Sequence, residues 1–382
     1  LPGVELYVSD GKKIYIAGDI NAIGTTDNRI TFASENIYWV GFRLDGNSYF
    51  EYCIFKNITG QVFQNYNGSY TNVKKSIFSD NSADIIWISG TNNHDFTTSN
   101  FIENISLGFT NNHNDYRYTY SNFTNNFGGV SNLSGNATGP ITFSASSDIF
   151  AHNNIFANIF NSIGELPYSI IRNYSGNSNI TQENYFGTSN EETANNYIID
   201  FIEQSNLGLV TANIALQPSE STNGIVWKVL VNGYDAQDEY ALIDPVGIGE
   251  HEFKVYFNRA MDTSIDPQIF YGVIFPYTQN LIDEEGSWSE DGKIYTVTHE
   301  VNIGAADGIN RIRVQGAMDL DNFYIPVEDS RFNFLLQSAG SASTGFFAAG
   351  GLGKVDLEWV APSIEQLDDA LGYNMYRYEV DT

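Results

Sequence analysis

The chain has 382 residues, of which 42% are apolar, 14% aromatic and only 17% charged, with a formal net charge of −28. That length holds two or three domains around sizeable cores, and that acidity excludes nucleic acid and anionic membrane surfaces as partners, since both need Lys and Arg against phosphate. A single cysteine, Cys53, excludes a disulfide framework, and no apolar run approaches the roughly 18 residues that insertion across a bilayer requires.

The chain opens at Leu1-Pro2-Gly3 without a basic leader, so it reads as a mature or excised portion. From there the dominant feature is a repeat. Phenylalanines recur at Phe32, Phe55, Phe78, Phe101 and Phe123, with spacings of 23, 23, 23 and 22. Phe150, Phe156 and Phe186 continue the pattern more loosely, and asparagines follow three residues after several of them, at Asn81, Asn104, Asn126 and Asn153. A period of this size with Asn, Ser, Thr and Gly as filler suits one coil of a parallel β-helix. Leucine-rich repeats have a similar period but a leucine consensus that is missing here. One coil cannot bury its own apolar face, whereas stacked coils bury a continuous core. The phenylalanines are therefore expected to stack inside a tube, with the asparagines laddered at its turns. Residues 1–190 are assigned to this domain. The first half carries 15 acids against 9 bases and the second half 31 against 9, so the negative charge lies mostly beyond it.

Residues 191–212 lose the repeat. Tyr197, Ile198, Phe201 and Ile202 fit a short helix or closing strand that caps the tube. Residues 213–338 alternate polar and apolar side chains, as in Glu252-Phe253-Lys254-Val255-Tyr256-Phe257, with Asp-Pro and Asp-Gly turns between the runs. This predicts a β-sandwich whose core takes Phe253, Val255 and Phe257. Residues 345–382 hold two further strand patterns after a Ser/Gly/Ala linker. The fold class expected is thus all-β, a right-handed parallel β-helix plus an immunoglobulin-like β-sandwich.

Three segments carry resemblances. Val4-Glu5-Leu6-Tyr7-Val8, Gly24-Thr25-Thr26-Asp27-Asn28-Arg29-Ile30-Thr31-Phe32 and Asn184-Tyr185-Phe186-Gly187-Thr188 resemble the first and last coils of the pectate-lyase-like right-handed β-helix proteins of microbial surfaces. The resemblance implies fold more than activity, and it places an upstream cap before residue 1. Phe257-Asn258-Arg259-Ala260-Met261-Asp262 resembles the strand-and-turn of bacterial immunoglobulin-like domains, a family of secreted multidomain proteins. Gly353-Lys354-Val355-Asp356-Leu357-Glu358-Trp359 and Gly372-Tyr373-Asn374-Met375-Tyr376-Arg377 look like the first strands of a fibronectin type III domain that continues beyond the segment.

Chemistry is sparse. Two residues after each repeat phenylalanine stand Asn57, Asp80, Glu103, Asn125 and His152. Stacked at about 5 Å per coil, Asp80 and Glu103 would share a proton, bind calcium or act as acid and nucleophile in glycoside cleavage; the alternative is two solvated turn residues. Asp319 and Asp321 have part of a calcium-loop spacing, without its glycine or distal glutamate, and otherwise make an acidic turn. Tyr116, Tyr118 and Tyr120 either stack on sugar rings or pack between coils. Eight Asn-x-Ser/Thr sequons, at Asn57, Asn67, Asn104, Asn122, Asn132, Asn136, Asn173 and Asn179, suggest glycans if the protein is a eukaryotic secreted one, or else follow from a composition rich in those residues. Together these features point to an extracellular or cell-surface adhesin or stalk with a polysaccharide or cell-surface glycan as its partner. No cofactor is called for beyond the calcium noted above. The alternatives are a polysaccharide lyase or glycoside hydrolase relative and a self-associating fibre or sheath subunit.

Overall fold

The computed structural model describes residues 1–88, 94–104, 106–108, 116–128, 141–143, 149–157, 159–160, 171–173, 179–199, 201–202, 205–206, 208–237, 245–302, 304–337, 344–351 and 354–360. The chain forms two compact units: residues 1–227 with 257–262 and 318–326, and residues 228–256, 263–317 and 327–382.

The first unit is a parallel β-helix built from three long sheets. Sheet A stacks seven strands from Glu5–Val8 to Asn154–Phe156, sheet B five from Lys13–Ile16 to Ser106–Gly108, and sheet C eight from Ile20–Ile23 to Val210–Ile214. As far as Ser106–Gly108 each coil visits the sheets in the order A, B, C, so every neighbour in a sheet is one coil away and parallel. Strand alternation turns every second side chain inward. In sheet A the inward register runs Phe32, Phe55, Phe78, Phe101 and Phe123. Their rings lie parallel, 4.8, 4.7 and 4.6 Å apart from Phe55 to Phe123. Sheet B adds Phe42 and Phe63, and sheet C adds Phe50 and Phe96, both at edge-on or tilted angles to the sheet A column. The repeat phenylalanine expected from the 23-residue period is therefore the spine of the core.

The repeat loses phase after Phe123, and the structure corrects three expectations there. Ile155, not Phe150, stands beneath Phe123 in sheet A. Phe150 belongs to sheet C, below Tyr118. Asn153 consequently leaves the corner between sheets A and B and joins the corner between C and A. The cause is that each coil uses the same local device twice. An inward side chain is followed two residues later by a left-handed residue, and one residue after that, from Ser76 and Asn81 onward, by a polar side chain that bonds along the helix axis. At the A-to-B corner the left-handed positions are Asn57, Asp80, Glu103, Asn125 and Ala157, and at the C-to-A corner they are Tyr52, Lys75, Thr98, Tyr120, His152 and Glu183.

The polar side chains close both corners. Between A and B, the Ile58 N–H donates to Asn81 Oδ1, that of Asn81 to Asn104 Oδ1 and that of Asn104 to Asn126 Oδ1, at 3.0–3.1 Å. The Nδ2 atoms of Asn81 and Asn104 donate both to a carbonyl within the coil stack and to the next asparagine. Between C and A the column is Ser76, Ser99, Ser121, Asn153 and Asn184, each accepting the backbone N–H one coil back. These atoms are buried, and a buried N–H left without a partner costs about 1–3 kcal/mol, so the ladders satisfy the backbone where strand pairing stops. The sequons at Asn104 and Asn122 lie in such networks with both side chains fully buried and their Nδ2 atoms donating, which removes them as glycan acceptors.

A third ladder lies on the outer face of sheet A. Asn122 donates to Asn100, and Asn154 to Asn122, at 3.0 and 2.9 Å. Thr222 and Asn223 cover it: Asn154 Nδ2 donates to Thr222 Oγ1 at 2.7 Å and Asn223 Nδ2 to Asn100 Oδ1 at 3.0 Å. Helix Glu191–Asn195, capped by Asn190, carries the buried Ala194 into the same core as Phe186, Ile198 and Val210, whereas Phe201 and Ile202 are exposed.

Inside sheet C sits His94, fully buried, whose Nδ1 accepts the Thr71 N–H at 3.0 Å. Burial pushes its pKa from 6.5 down to about 4. The unfolded chain therefore binds a proton that the folded chain rejects over that interval, so stability falls as the pH drops from about 6.5 towards 4. We expect His94→Gln to remove about 3 kcal/mol of the parent's loss between pH 7 and pH 4, read as the difference between the two proteins' urea-unfolding free energies. Parallel pH profiles for the two proteins would contradict this.

The second unit holds two antiparallel sheets. One has five strands, in which Gly249–Phe257 pairs with Ile294–Val301, and the other has four, centred on Gln268–Gly272 and Gly308–Gln315. They face each other as a sandwich: Phe253 of the first packs 5.7 Å from Phe334 and 6.4 Å from Tyr271 of the second. Phe253, Val255 and Phe257 are buried, as their alternation predicts. His299 joins the sheets by a polar route: its Nδ1 donates to Glu284 Oε2 at 2.7 Å and its Nε2 accepts from Tyr271 Oη at 3.1 Å. Beyond it, Thr344–Gly351 and Lys354–Val360 form an antiparallel pair, and the expected strands at 372–377 lie outside the described residues.

Candidate functional site

Asp80 and Glu103 occupy successive left-handed corner positions in the A-to-B column, as their spacing predicts. Asp80 pairs with Lys56 at 3.4 Å, with both side chains more than two-fifths exposed, so the pairing is worth little to stability. His152 does not join this column. It stacks on Tyr120 at 4.8 Å and meets Glu183 at 3.1 Å on the other corner. Tyr118 points into the core against Phe96 at 5.0 Å, Tyr120 turns out at the corner, and the Tyr116 side chain lies outside the described set. The alternation that would align three tyrosines on one face is broken by the left-handed residue at 120.

Asp319 and Asp321 act as internal acceptors. Asp319 is fully buried. Its Oδ1 takes the N–H groups of Asp321 and Phe323 at 2.9 and 3.0 Å, and its Oδ2 takes that of Gly224 at 2.9 Å, with Arg259 at 3.5 Å. Asp321 pairs with Arg259 at 2.9 Å and Lys75 at 3.6 Å. Arg29 lies 4.2 Å over the Phe323 ring and donates to the Asp321 carbonyl at 3.2 Å. Cations and backbone amides thus fill the lone pairs that a calcium ion would need, and the segment 318–326 is anchored to the first unit by them. Among the described residues no three His, Cys, Asp or Glu side chains gather as a metal centre.

A set of outward aromatic and polar groups lies on sheet B. Tyr15 stands opposite Arg43, and Arg43 opposite Gln64, on three consecutive coils. The Arg43 guanidinium carbon sits 5.1 Å from the Tyr15 ring centre and 4.4 Å from that of Tyr66. Asp45 accepts Tyr15 Oη at 2.6 Å and Arg43 Nε at 3.3 Å, and the Tyr15 hydrogen bond is the main reason its carboxyl titrates below the usual range. Lys13 crosses Gly41 to donate to Gln64 Oε1, and Gln64 donates to Gln61. Gly41 has φ +97 and lies where an added Cβ would meet the Gln61 carbonyl at 2.1 Å, so a larger residue would push the neighbouring coil away. Trp87 stands in register with Gln64 one coil further on.

Sequence reasoning missed this face because the spacing conceals it. Tyr15 to Arg43 is 28 residues and Arg43 to Gln64 is 21, neither of which matches the phenylalanine period. The available signal was the local alternation in Lys13-Ile14-Tyr15-Ile16 and Gly41-Phe42-Arg43-Leu44, which sends the polar members outward together. No family model matches the chain, and no curated protein matches its sequence.

Proposed function

We propose that this chain is part of a secreted or cell-surface adhesin or stalk, a scaffold that presents glycan-binding surface rather than catalytic groups. The pectate-lyase-like, immunoglobulin-like and fibronectin-like resemblances are consistent with such a multidomain surface protein. The observation that carries the reading is the engagement of the candidate carboxylates. Asp80 is balanced by Lys56, and Asp319 and Asp321 are filled by Arg259, Lys75 and backbone amides. Asp319 and Asp321 hold their loop in place, and Asp80 is a solvated corner residue. Meanwhile two ladders close the helix from within, and strand pairing fixes the backbone behind the outer face of sheet B. Rigid presentation lowers the ordering cost of binding an extended ligand.

The test is retention on a panel of immobilised neutral and acidic polysaccharides, with released reducing ends and unsaturated uronates assayed in parallel. The expected result is retention without product. Product release that both Asp80→Asn and Glu103→Gln abolish would overturn the reading in favour of an enzyme.

A further inference from the structure

We infer that the outer face of sheet B is the glycan site of this protein, and that its ligand is a neutral polysaccharide chain lying along the helix axis across Tyr15, Arg43 and Gln64. The inference rests on the glycan-binding reading above and specifies where and what the protein binds.

Geometry comes first. Tyr15, Arg43 and Gln64 are one column, with one member per coil, so their backbones advance about 4.8 Å per step. That is close to the length of one pyranose unit in an extended chain, so successive sugars meet successive coils. Tyr15 is more than half exposed, which leaves ring surface for the apolar face of a sugar. No loop intervenes between the three positions, since they lie within the strands Lys13–Ile16, Gly41–Leu44 and Thr59–Asn65.

Polar chemistry comes second. Vicinal sugar hydroxyls donate and accept at once, so they are matched by planar groups that do both or that sit side by side with opposite roles. Gln61 and Gln64 already bond amide to amide, and Asp45 lies beside the Arg43 guanidinium. Among the described residues only Nε of Arg43 is hydrogen-bonded, which leaves its terminal nitrogens for a ligand. Holding these planes in place beforehand removes much of the side-chain ordering that binding would otherwise cost.

Charge decides the ligand class. The face carries both signs, and each charge is already engaged: Lys13 donates to Gln64, and Asp45 takes both Arg43 and Tyr15. An anionic polymer would have to compete with Asp45 for Arg43, whereas a neutral, hydroxyl-rich chain adds to these bonds without displacing a charge.

The experiment measures retention of the parent, Tyr15→Ala, Gln64→Ala and the corner variant Asp80→Asn on immobilised neutral glucan, mannan and galactan and on a polyuronate, at low and high salt. The expected result is retention of the parent on one neutral polymer with little salt dependence. Tyr15→Ala and Gln64→Ala should each weaken it by about tenfold or more, and Asp80→Asn should leave it unchanged. Both positions are on the surface, so matching far-ultraviolet spectra and melting temperatures are expected to show intact folds. Equal retention of all four proteins would overturn this site while leaving the glycan-binding reading in place. Preference for the polyuronate, abolished by salt, would overturn the ligand class. Failure of the parent to bind any polymer would overturn the functional reading and this inference with it.

Discussion

Replacing Phe101 with alanine is expected to destabilise the first unit by about 3–5 kcal/mol. The ring is fully buried and lies between Phe78 at 4.7 Å and Phe123 at 4.6 Å, both nearly parallel to it. It also meets Phe96 and Tyr118 of sheet C at 6.3 Å. Truncation would remove contacts to both adjacent coils and to the facing sheet, and the neighbouring rings are held in register by strand pairing above and below, so they cannot collapse into the gap. Phe275→Ala, at a position 72% exposed, should change stability by no more than about 0.5 kcal/mol and serves as the control. Urea unfolding followed by intrinsic fluorescence checks both. Equal shifts for the two variants would mean that Phe101 is not in the core.

The second large effect is expected at Asn104. Its Oδ1 accepts both the N–H and the Nδ2 of Asn81, and its Nδ2 donates to the Phe78 carbonyl and to Asn126 Oδ1. Asn104→Ala would strand these groups in a fully buried corner. At about 1–3 kcal/mol for each group left without a partner, and with some relaxation, the loss should be about 3–5 kcal/mol. Asn104→Asp should be no better, because it removes both donated bonds and adds a charge to a dry site. Asn67→Ala, at an exposed turn in the left-handed region, breaks no ladder and should cost only about 1–2 kcal/mol. If Asn104→Ala matched Asn67→Ala in thermal unfolding, the ladder would have no energetic weight.

The core of the helix was legible because its phenylalanines and asparagines recur with the coil itself. The second unit was legible where alternation is strict, as in Phe253, Val255 and Phe257. The phase slip at Phe150 was not. The same inward, outward, left-handed, ladder motif recurs at both corners of each coil, so Phe150-Ala151-His152-Asn153 and Phe123-Thr124-Asn125-Asn126 look alike in sequence though they lie on different corners. Only strand register separates them. The left-handed conformation of Tyr52, Lys75, Thr98 and Tyr120 was equally hidden, because such residues rarely adopt it. The surrounding ladder imposes it by fixing the next residue. The roles of Asp319 and Asp321 depended on Gly224 and Arg259, which are distant in sequence. The sheet B face depended on coils of unequal length, so no fixed period brings Tyr15, Arg43 and Gln64 together.

The central claim is that the outer face of sheet B, and not the acidic corner, holds a glycan. A crystal structure of the protein grown with the neutral oligosaccharide that it retains best tests this directly. The account predicts sugar rings running along the helix axis, with one stacked on Tyr15 and hydroxyls within hydrogen-bonding distance of Arg43 and Gln64. Sugar seated instead at the corner of Asp80 and Glu103, with the Tyr15 face bare, would contradict it.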